Sequence, residues 1–234
     1  MAKHKVVAEE QELELEEVVA GAGEQHESGT ASEFYEKNKL YILAIGVVVV
    51  GVLGYFIWNS MNAGKNKEAA AAGYQAVYYW EKDSLQKALK GDGTVEGLES
   101  IINQYGGTAE GNMAKYRAGI AALKEGRTEE GIQYLKSFSK GDNLVSASAY
   151  MALGFAHEDL GKSLEAAEYF EKGANVTSEK DDAIRPMMLK LAGEAYEEAG
   201  KKEKAVDLYK QIKDKYPNSQ EGQSIDKYLG RAES

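Results

Sequence analysis

From Leu40 to Trp58 the chain runs for 19 residues without a charged side chain, although 28% of its residues are charged overall. As a helix rising about 1.5 Å per residue, the run spans about 28 Å, close to the ~30 Å hydrocarbon core of a bilayer. A core helix of a soluble protein usually keeps a polar stripe, and this run has none. The valines at 47 to 50 favour strands. A lone strand in lipid, however, leaves its backbone groups unpaired, whereas a helix pairs them internally. Tyr41 stands at one end, and Tyr55 and Trp58 at the other, where aromatic side chains suit a membrane interface. The expectation is a single transmembrane helix over 40–58. A secretory signal peptide would place a shorter apolar core nearer the N-terminus, followed by a small-residue cleavage site. Here a polar stretch comes first and no such site follows Trp58, so the run is expected to be a retained anchor. Lys37 and Lys39 flank one side, and Lys65 and Lys67 the other. The charge rule therefore ties at two against two, and the tighter N-terminal pair tilts the balance toward an internal N-terminus.

The flanks differ in character. The net charge is −10, and residues 1–39 contribute 10 glutamates against 4 lysines. Residues 1–31 are Glu-rich and poor in large apolar groups, which predicts a disordered acidic tail. Val6, Val7, Leu13, Leu15, Val18 and Val19 could alternatively form a short acidic helix against a partner. From Thr30 or Ser32 the stretch SEFYEKNK predicts a helix that continues into the span, giving a juxtamembrane and transmembrane segment over 32–62. Residues 64–234 are long enough for one domain with a sizeable core. The chain has no cysteine, hence no disulfide framework and no thiolate metal site. Its acidic balance lacks the basic footprint of a nucleic-acid binder.

After Trp58 the pattern is helical, punctuated by glycine. Three stretches stack on one another. MAKYRAGIAALKEGRTEEGIQYLK carries Gly119, Gly126, Gly131 and Leu135. YMALGFAHEDLGKSLEAAEYFEK carries Gly154, Gly161, Ala166 and Phe170. LKLAGEAYEEAGKKEKAVDLYKQI carries Gly193, Gly200, Ala205 and Tyr209. The spacings are seven, five and four residues in all three. The first glycine lets two helices approach, and the second ends the first helix where a positive φ is needed. The small third residue lets the second helix cross the first, and the large fourth residue is expected to fill the gap between repeats. This is the spacing of tetratricopeptide repeats (TPR), helical hairpins that stack into a solenoid. Tyr196 and Pro217 fit the pattern of the third copy, and Pro186 fits a first helical turn. YYWEKDSLQKAL, Tyr78 to Leu89, resembles a degraded hairpin with Ala88 in the small position. GDG at 91–93 interrupts it and another helix follows. YGGTAEG, Tyr105 to Gly111, matches YPNSQEG, Tyr216 to Gly222, and both are expected to turn into a new helix. The last one, Gln220 to about Ala232, would cap the solenoid. The fold class expected is all-α: one transmembrane helix, a TPR-like α-solenoid over 64–234 and a C-terminal capping helix.

In such an array the first helix of each hairpin lines an inner groove. The glycine register places Met113, Tyr116, Ile120, Leu123 and Lys124 there from the first repeat. Ser148, Met151, Phe155, Glu158 and Asp159 come from the second, and Met187, Lys190, Glu194, Glu197 and Glu198 from the third. The groove grades from apolar to acidic. That suits a peptide with apolar residues at one end and basic residues at the other, and not the capture of a C-terminal carboxylate, which needs a cluster of donors. Tyr116 and Phe155 are alternatively packing residues between helices. No constellation for chemistry emerges. His4 and His26 lie in the tail, and His157 takes the helix-packing place of Tyr196. GDG is a turn without a phosphate-loop context. The expectation is a protein without catalytic, cofactor or metal site and without a small-molecule substrate.

The layout resembles the membrane-anchored TPR proteins of the ancillary SecYEG translocon subunit (YfgM-like) family, most closely its Bacteroidetes branch. The resemblance covers about residues 32–234. It rests on EFYEKNK before the span, YFIWNS at its end, YYWEKDSLQKALKGDG, NQYGGTAEGNMAKYRAGIAAL and the terminal YPNSQEG. It implies a bacterial inner-membrane protein with a cytoplasmic N-terminus and periplasmic repeats. Its implied partners are the Sec translocon, periplasmic chaperones or exported chains. A structural membrane-complex subunit and a cytoplasmic-facing TPR peptide receptor are the alternatives.

Overall fold

A computed structural model describes residues 31–141 and 144–234 of the chain, with the side chains of 31–33 and 62–63 left aside. The expectations for the acidic tail, including His4, His26 and a short helix over 6–19, lie outside the described residues. Among the described residues ten α-helices follow one another: α1 Ala31–Glu81, α2 Leu85–Lys90, α3 Leu98–Tyr105, α4 Ala109–Lys124, α5 Thr128–Ser137, α6 Leu144–Asp159, α7 Ser163–Asn175, α8 Ile184–Glu198, α9 Lys202–Lys215 and α10 Ile225–Ala232. Among the described residues the only β feature is an isolated antiparallel bridge between Gly91 and Glu96. Contacts divide the chain into two compact units, Met1–Ser60 and Met61–Ser234. The expected seam between an anchor ending at 62 and a domain opening at 64 is not a helix end, because α1 runs through it.

In the first unit every described side chain from Leu40 to Trp58 is exposed, Leu40 at 79% and Trp58 at 57%. Phe34–Glu81 is long and apolar enough to cross a membrane, by length and composition alone. Val47 to Val50 are helical despite their strand propensity. Gly46, Gly51 and Gly54 have no neighbour within 4 Å of where a Cβ would stand.

The second unit is a series of helical hairpins whose geometry the glycine spacing explains. A Cβ at Gly119 would overlap Leu135, one at Gly154 the Phe170 ring, and one at Gly193 the Tyr209 ring. Each first-position glycine is therefore a notch that receives the large residue of its own hairpin. This corrects the expectation that the large residue fills the gap between repeats. That gap is filled instead by side chains such as Met188 of α8, whose terminal methyl lies where a Cβ on Gly173 of α7 would stand. The burial is complete: Phe170, Tyr209, Leu135 and Met188 are 0% exposed. Removing a side chain of this size from water contributes roughly 1.5–3 kcal/mol.

The second-position glycines end the first helices with φ of 75° at Gly126, 70° at Gly161 and 70° at Gly200. In each turn the glycine amide and the next amide reach back to carbonyls of the last turn, as in Gly200 N to Glu197 O (2.9 Å) and Lys201 N to Tyr196 O (2.7 Å). The same bonds recur between α1 and α2, from Asp83 N to Trp80 O (3.1 Å) and from Ser84 N to Tyr79 O (2.8 Å). There Asp83 adopts φ 55°, a left-handed conformation open to Asp and Asn more than to other non-glycine residues. A fourth hairpin thus precedes the three that glycine marks. Ala76, Asp83 and Ala88 follow the spacing of seven and five, and both alanines are 0% exposed. Its second helix is split by the loop at 91–97. Asp92 ties the loop down, its carboxylate accepting from Thr94 N (3.0 Å), Thr94 Oγ1 (2.7 Å), Val95 N (3.0 Å) and the Tyr79 hydroxyl (2.8 Å). These donors, Thr94 first, hold the Asp92 carboxyl well below the usual carboxylate range, and the hydrogen bond to that carboxylate pushes the Tyr79 hydroxyl up.

YGGTAEG and YPNSQEG form the same turn. Thr108 Oγ1 donates to Tyr105 O (2.7 Å) and accepts from Gly111 N (3.0 Å). Ser219 Oγ donates to Tyr216 O (2.8 Å) and accepts from Gly222 N (2.9 Å). The capping helix α10 begins at Ile225, after a 3-10 turn over Gly222–Ser224, and so later than the expected Gln220.

Candidate protein-binding groove

The groove-register residues stand on α4, α6 and α8, and none of them is buried. Those of the first repeat serve packing. Met113, Tyr116, Ile120 and Leu123 lie against the core of Ile132, Leu135, Phe138, Ala149, Leu153 and Ala156, and the Tyr116 ring sits 5.7 Å from the Phe138 ring. Lys124 is exposed and pairs with Asp83 at 2.9 Å. In the second repeat Ser148 Oγ donates to Leu144 O (3.0 Å), and Met151 rests on the core beneath α7 and α8. Phe155 meets the buried Phe170 ring edge-on at 5.2 Å yet remains 42% exposed. In the third, Met187 packs on the same core. Lys190 Nζ lies 3.6 Å from Glu194 and 4.9 Å above the Tyr228 ring.

The structure brings the carboxylates of the second and third repeats together. Burial raises the Glu158 carboxyl, and the charges of Glu198, Glu194 and Asp159 raise it further. An exposed aromatic ring and a cluster of mutually repelling carboxylates therefore lie on neighbouring repeats. Glu197 is different. It accepts from the Tyr209 hydroxyl (2.7 Å) and from Arg231 Nε (3.1 Å), and the Arg231 guanidinium holds its carboxyl below the usual range. Its charge fastens α10.

Arg231 and Tyr228 were not among the expected groove residues. Gly230 carried the signal. It follows Gly193 at a repeat's distance and puts α10 in the phase of a first helix, with Lys227, Tyr228 and Arg231 on the groove side. Trp80 was missed as well, for want of a glycine at Asp83. Its Nε1 donates to Arg117 O (3.1 Å), joining the first hairpin to α4. His157 is 5% exposed, with Nδ1 2.7 Å from Leu153 O and its ring 4.8 Å from that of Tyr169, in the packing role expected. Among the described residues no group of three or more His, Cys, Asp or Glu is placed to hold a metal ion.

The tetratricopeptide repeat family matches the sequence twice, over residues 116–181 and 187–219. The solenoid is TPR-like in form, and two stretches of it match the repeat in sequence. The matched TPR segments take in the hairpins α6–α7 and α8–α9 and most of α4–α5. They leave out the hairpin that turns at Asp83, which the structure shows to have the same form. A solved structure of TPR-like repeats from Podosopora anserina, described as nearly identical repeats of a kinesin light chain, superposes with a TM-score of 0.51 at 17% identity. The alignment covers 70% of this chain and 85% of that one. A single-residue variant of the same protein gives the same score and identity over 84% of its length. These likenesses establish the fold. No curated protein matches the chain in sequence.

Proposed function

We propose that the chain is a membrane-anchored TPR scaffold. Residues 40–58 cross the membrane once, and the repeats present their groove to other proteins. The observation that carries this reading is the wholly exposed, uncharged helical stretch over 40–58 on a chain whose repeats are of a protein-binding kind. Nineteen exposed, uncharged and mostly apolar residues facing water would be costly at roughly 25 cal/mol per Å², and lipid removes that cost. The repeats act by binding.

The groove chemistry supports a ligand class. Phe155 offers an apolar contact, and Glu158, Asp159, Glu194 and Glu198 offer negative charge that a basic side chain would neutralise. An extended segment with an apolar residue followed by Lys or Arg fits both. The resemblance to the ancillary translocon subunits supports the further proposal that such segments belong to the Sec translocon, to periplasmic chaperones or to exported chains. It also supports a cytoplasmic N-terminus and periplasmic repeats in a bacterial inner membrane. Two experiments test this. A cysteine at Ser178 should react with an impermeant maleimide in intact cells and one at Ser28 should not; the reverse pattern inverts the topology. Mass spectrometry of a mild-detergent pull-down should return translocon subunits or chaperones, and their absence from a folded, membrane-bound bait would refute the partner assignment.

A further inference from the structure

The last helix changes the charge of the groove. With Gly230 of α10 as the counterpart of Gly193, Lys227 stands where α8 has Lys190, and Arg231 where α8 has Glu194. From α6 to α10 the charges then fall into three zones. Glu158 and Asp159 close α6 and Glu198 closes α8, so three carboxylates stand at the negative ends of two helices, where acidic groups are disfavoured. The last turn of α8 has no basic residue to offset them. In the middle zone the charges have partners within the chain. Lys190 lies 3.6 Å from Glu194, and Arg231 Nε donates to Glu197 (3.1 Å). The Tyr228 ring sits among them, 4.9 Å from Lys190 Nζ and 5.1 Å from the Arg231 guanidinium. The third zone is Lys227, exposed on α10, with its Nζ 5.7 Å from the same ring. Among the described residues no ion pair involves Glu158, Asp159, Glu198 or Lys227. Unpaired negative charge therefore lies on one side of a paired band, and an unpaired positive charge on the other.

We propose that Lys227 is a specificity-determining residue of the groove, and that it selects a partner segment carrying an acidic side chain beyond its basic one. The inference rests on the groove reading above and extends it. The occupant is an extended chain with apolar, basic and acidic side chains in that order, in either chain direction. The apolar one lies on Phe155, which is 42% exposed. The basic one lies among Glu158, Asp159 and Glu198, and the acidic one on Lys227. Charge complementarity sets the order. A second basic side chain at the α10 end would meet Lys227, and an acidic one at the α6 end would meet three carboxylates. Such charges act on the choice of partner more than on raw affinity, because like charges brought together penalise the wrong one. A wholly basic segment, which the carboxylates alone would accept, is thereby disfavoured.

The test is fluorescence anisotropy of labelled peptides titrated with the full chain in mild detergent. The peptides are acetylated and amidated, so that side chains are their only charges. They carry Leu, Lys and Glu in that order or its reverse, two to four Gly or Ser residues apart. The tightest binder is then compared with versions that have Gln or Lys in place of Glu. On the native chain the Glu peptide should bind about two- to fivefold tighter than the Gln peptide, the size of a surface ion pair, and the Lys peptide weaker than both. On Lys227→Glu the order should invert, with the Lys peptide tightest. Lys215→Glu changes an exposed lysine of α9, outside the groove register, by the same charge and should keep the native order. Circular dichroism checks that both variants stay folded. Equal binding of the Glu and Gln peptides, or an order that Lys227→Glu leaves unchanged or Lys215→Glu also inverts, overturns the role of Lys227. The groove reading survives that result if replacing the peptide's own Lys by Gln still weakens binding. If no peptide binds the folded chain, both fall.

Discussion

The first hairpin, α1–α2, and the last complete one, α8–α9, make the same turn from different residues. Gly200 supplies the left-handed residue in one and Asp83 in the other. Gly193 forms the notch in the last hairpin, and Ala76 holds its place in the first. In the last hairpin a tyrosine of the second helix, Tyr209, fills the notch and bonds back to Glu197 of the first helix. In the first hairpin the roles are exchanged: Tyr79 of the first helix bonds to Asp92 of the segment that follows α2. The backbone geometry is common, and the means of closing it are not. Where a full helix packs, a large ring and a glycine notch do the closing. Where the second helix is split, a polar tie does.

The largest effect should come from closing the notch. Gly193→Leu forces a branched side chain into the Tyr209 ring and should cost about 3 kcal/mol. For a unit of this size that is a fall of roughly 6–12 °C in Tm, measured on a fragment from Met61. An unchanged Tm would remove the notch from the account. The turns come next. Gly200→Ala, at φ 70°, should cost roughly 1–2 kcal/mol because a Cβ is strained in the left-handed region. The caps of the two matched turns should follow: Thr108→Ala and Ser219→Ala should each cost about 1 kcal/mol. Unequal losses in urea titrations would break the equivalence of YGGTAEG and YPNSQEG.

A smaller effect belongs to the tie on α10. Arg231→Ala should cost about 0.5–1 kcal/mol at neutral pH, since the arginine is half exposed and water screens the pair. The Glu197 carboxyl lies below the ordinary 4.5 in the folded chain. Its contribution is therefore full above that value and is lost as pH falls through the lowered folded value. The gap between the two proteins should close in the same window, and a gap that persists at lower pH would deny Glu197 its role. Smallest, and opposite in sign, is Asp83→Gly. It should stabilise the chain by about 0.5 kcal/mol, because glycine adopts a positive φ without strain. A loss instead would mean that the Asp83 side chain, through Lys124, matters more than its backbone.

Most of the hairpin architecture was legible because glycine is nearly the only residue suited to a left-handed helix end or a ring-filled notch. Three copies of the same spacing therefore disclose three hairpins. The first hairpin was half legible: Ala88 marked it, but Asp83 in place of glycine hid its turn and left Trp80 outside the account. In the groove, sequence register placed Phe155 and Glu158 on one helix face. Glu197 was placed beside them on equal terms, because nothing local distinguishes a carboxylate facing solvent from one that Arg231 will reach.

The sequence by itself determined the uncharged stretch over 40–58, the glycine-ended helices and the order of the hairpins. Each depends on interactions within a few residues: backbone pairing along a helix, the φ of a single residue, the volume of a single side chain. Only the tertiary structure decided which groups meet across repeats. It set Glu197 against Arg231, gathered Glu158, Glu194 and Glu198, and seated the large residues in their own hairpins. Those outcomes depend on distances between residues far apart in the chain, which are fixed when one hairpin stacks on the next.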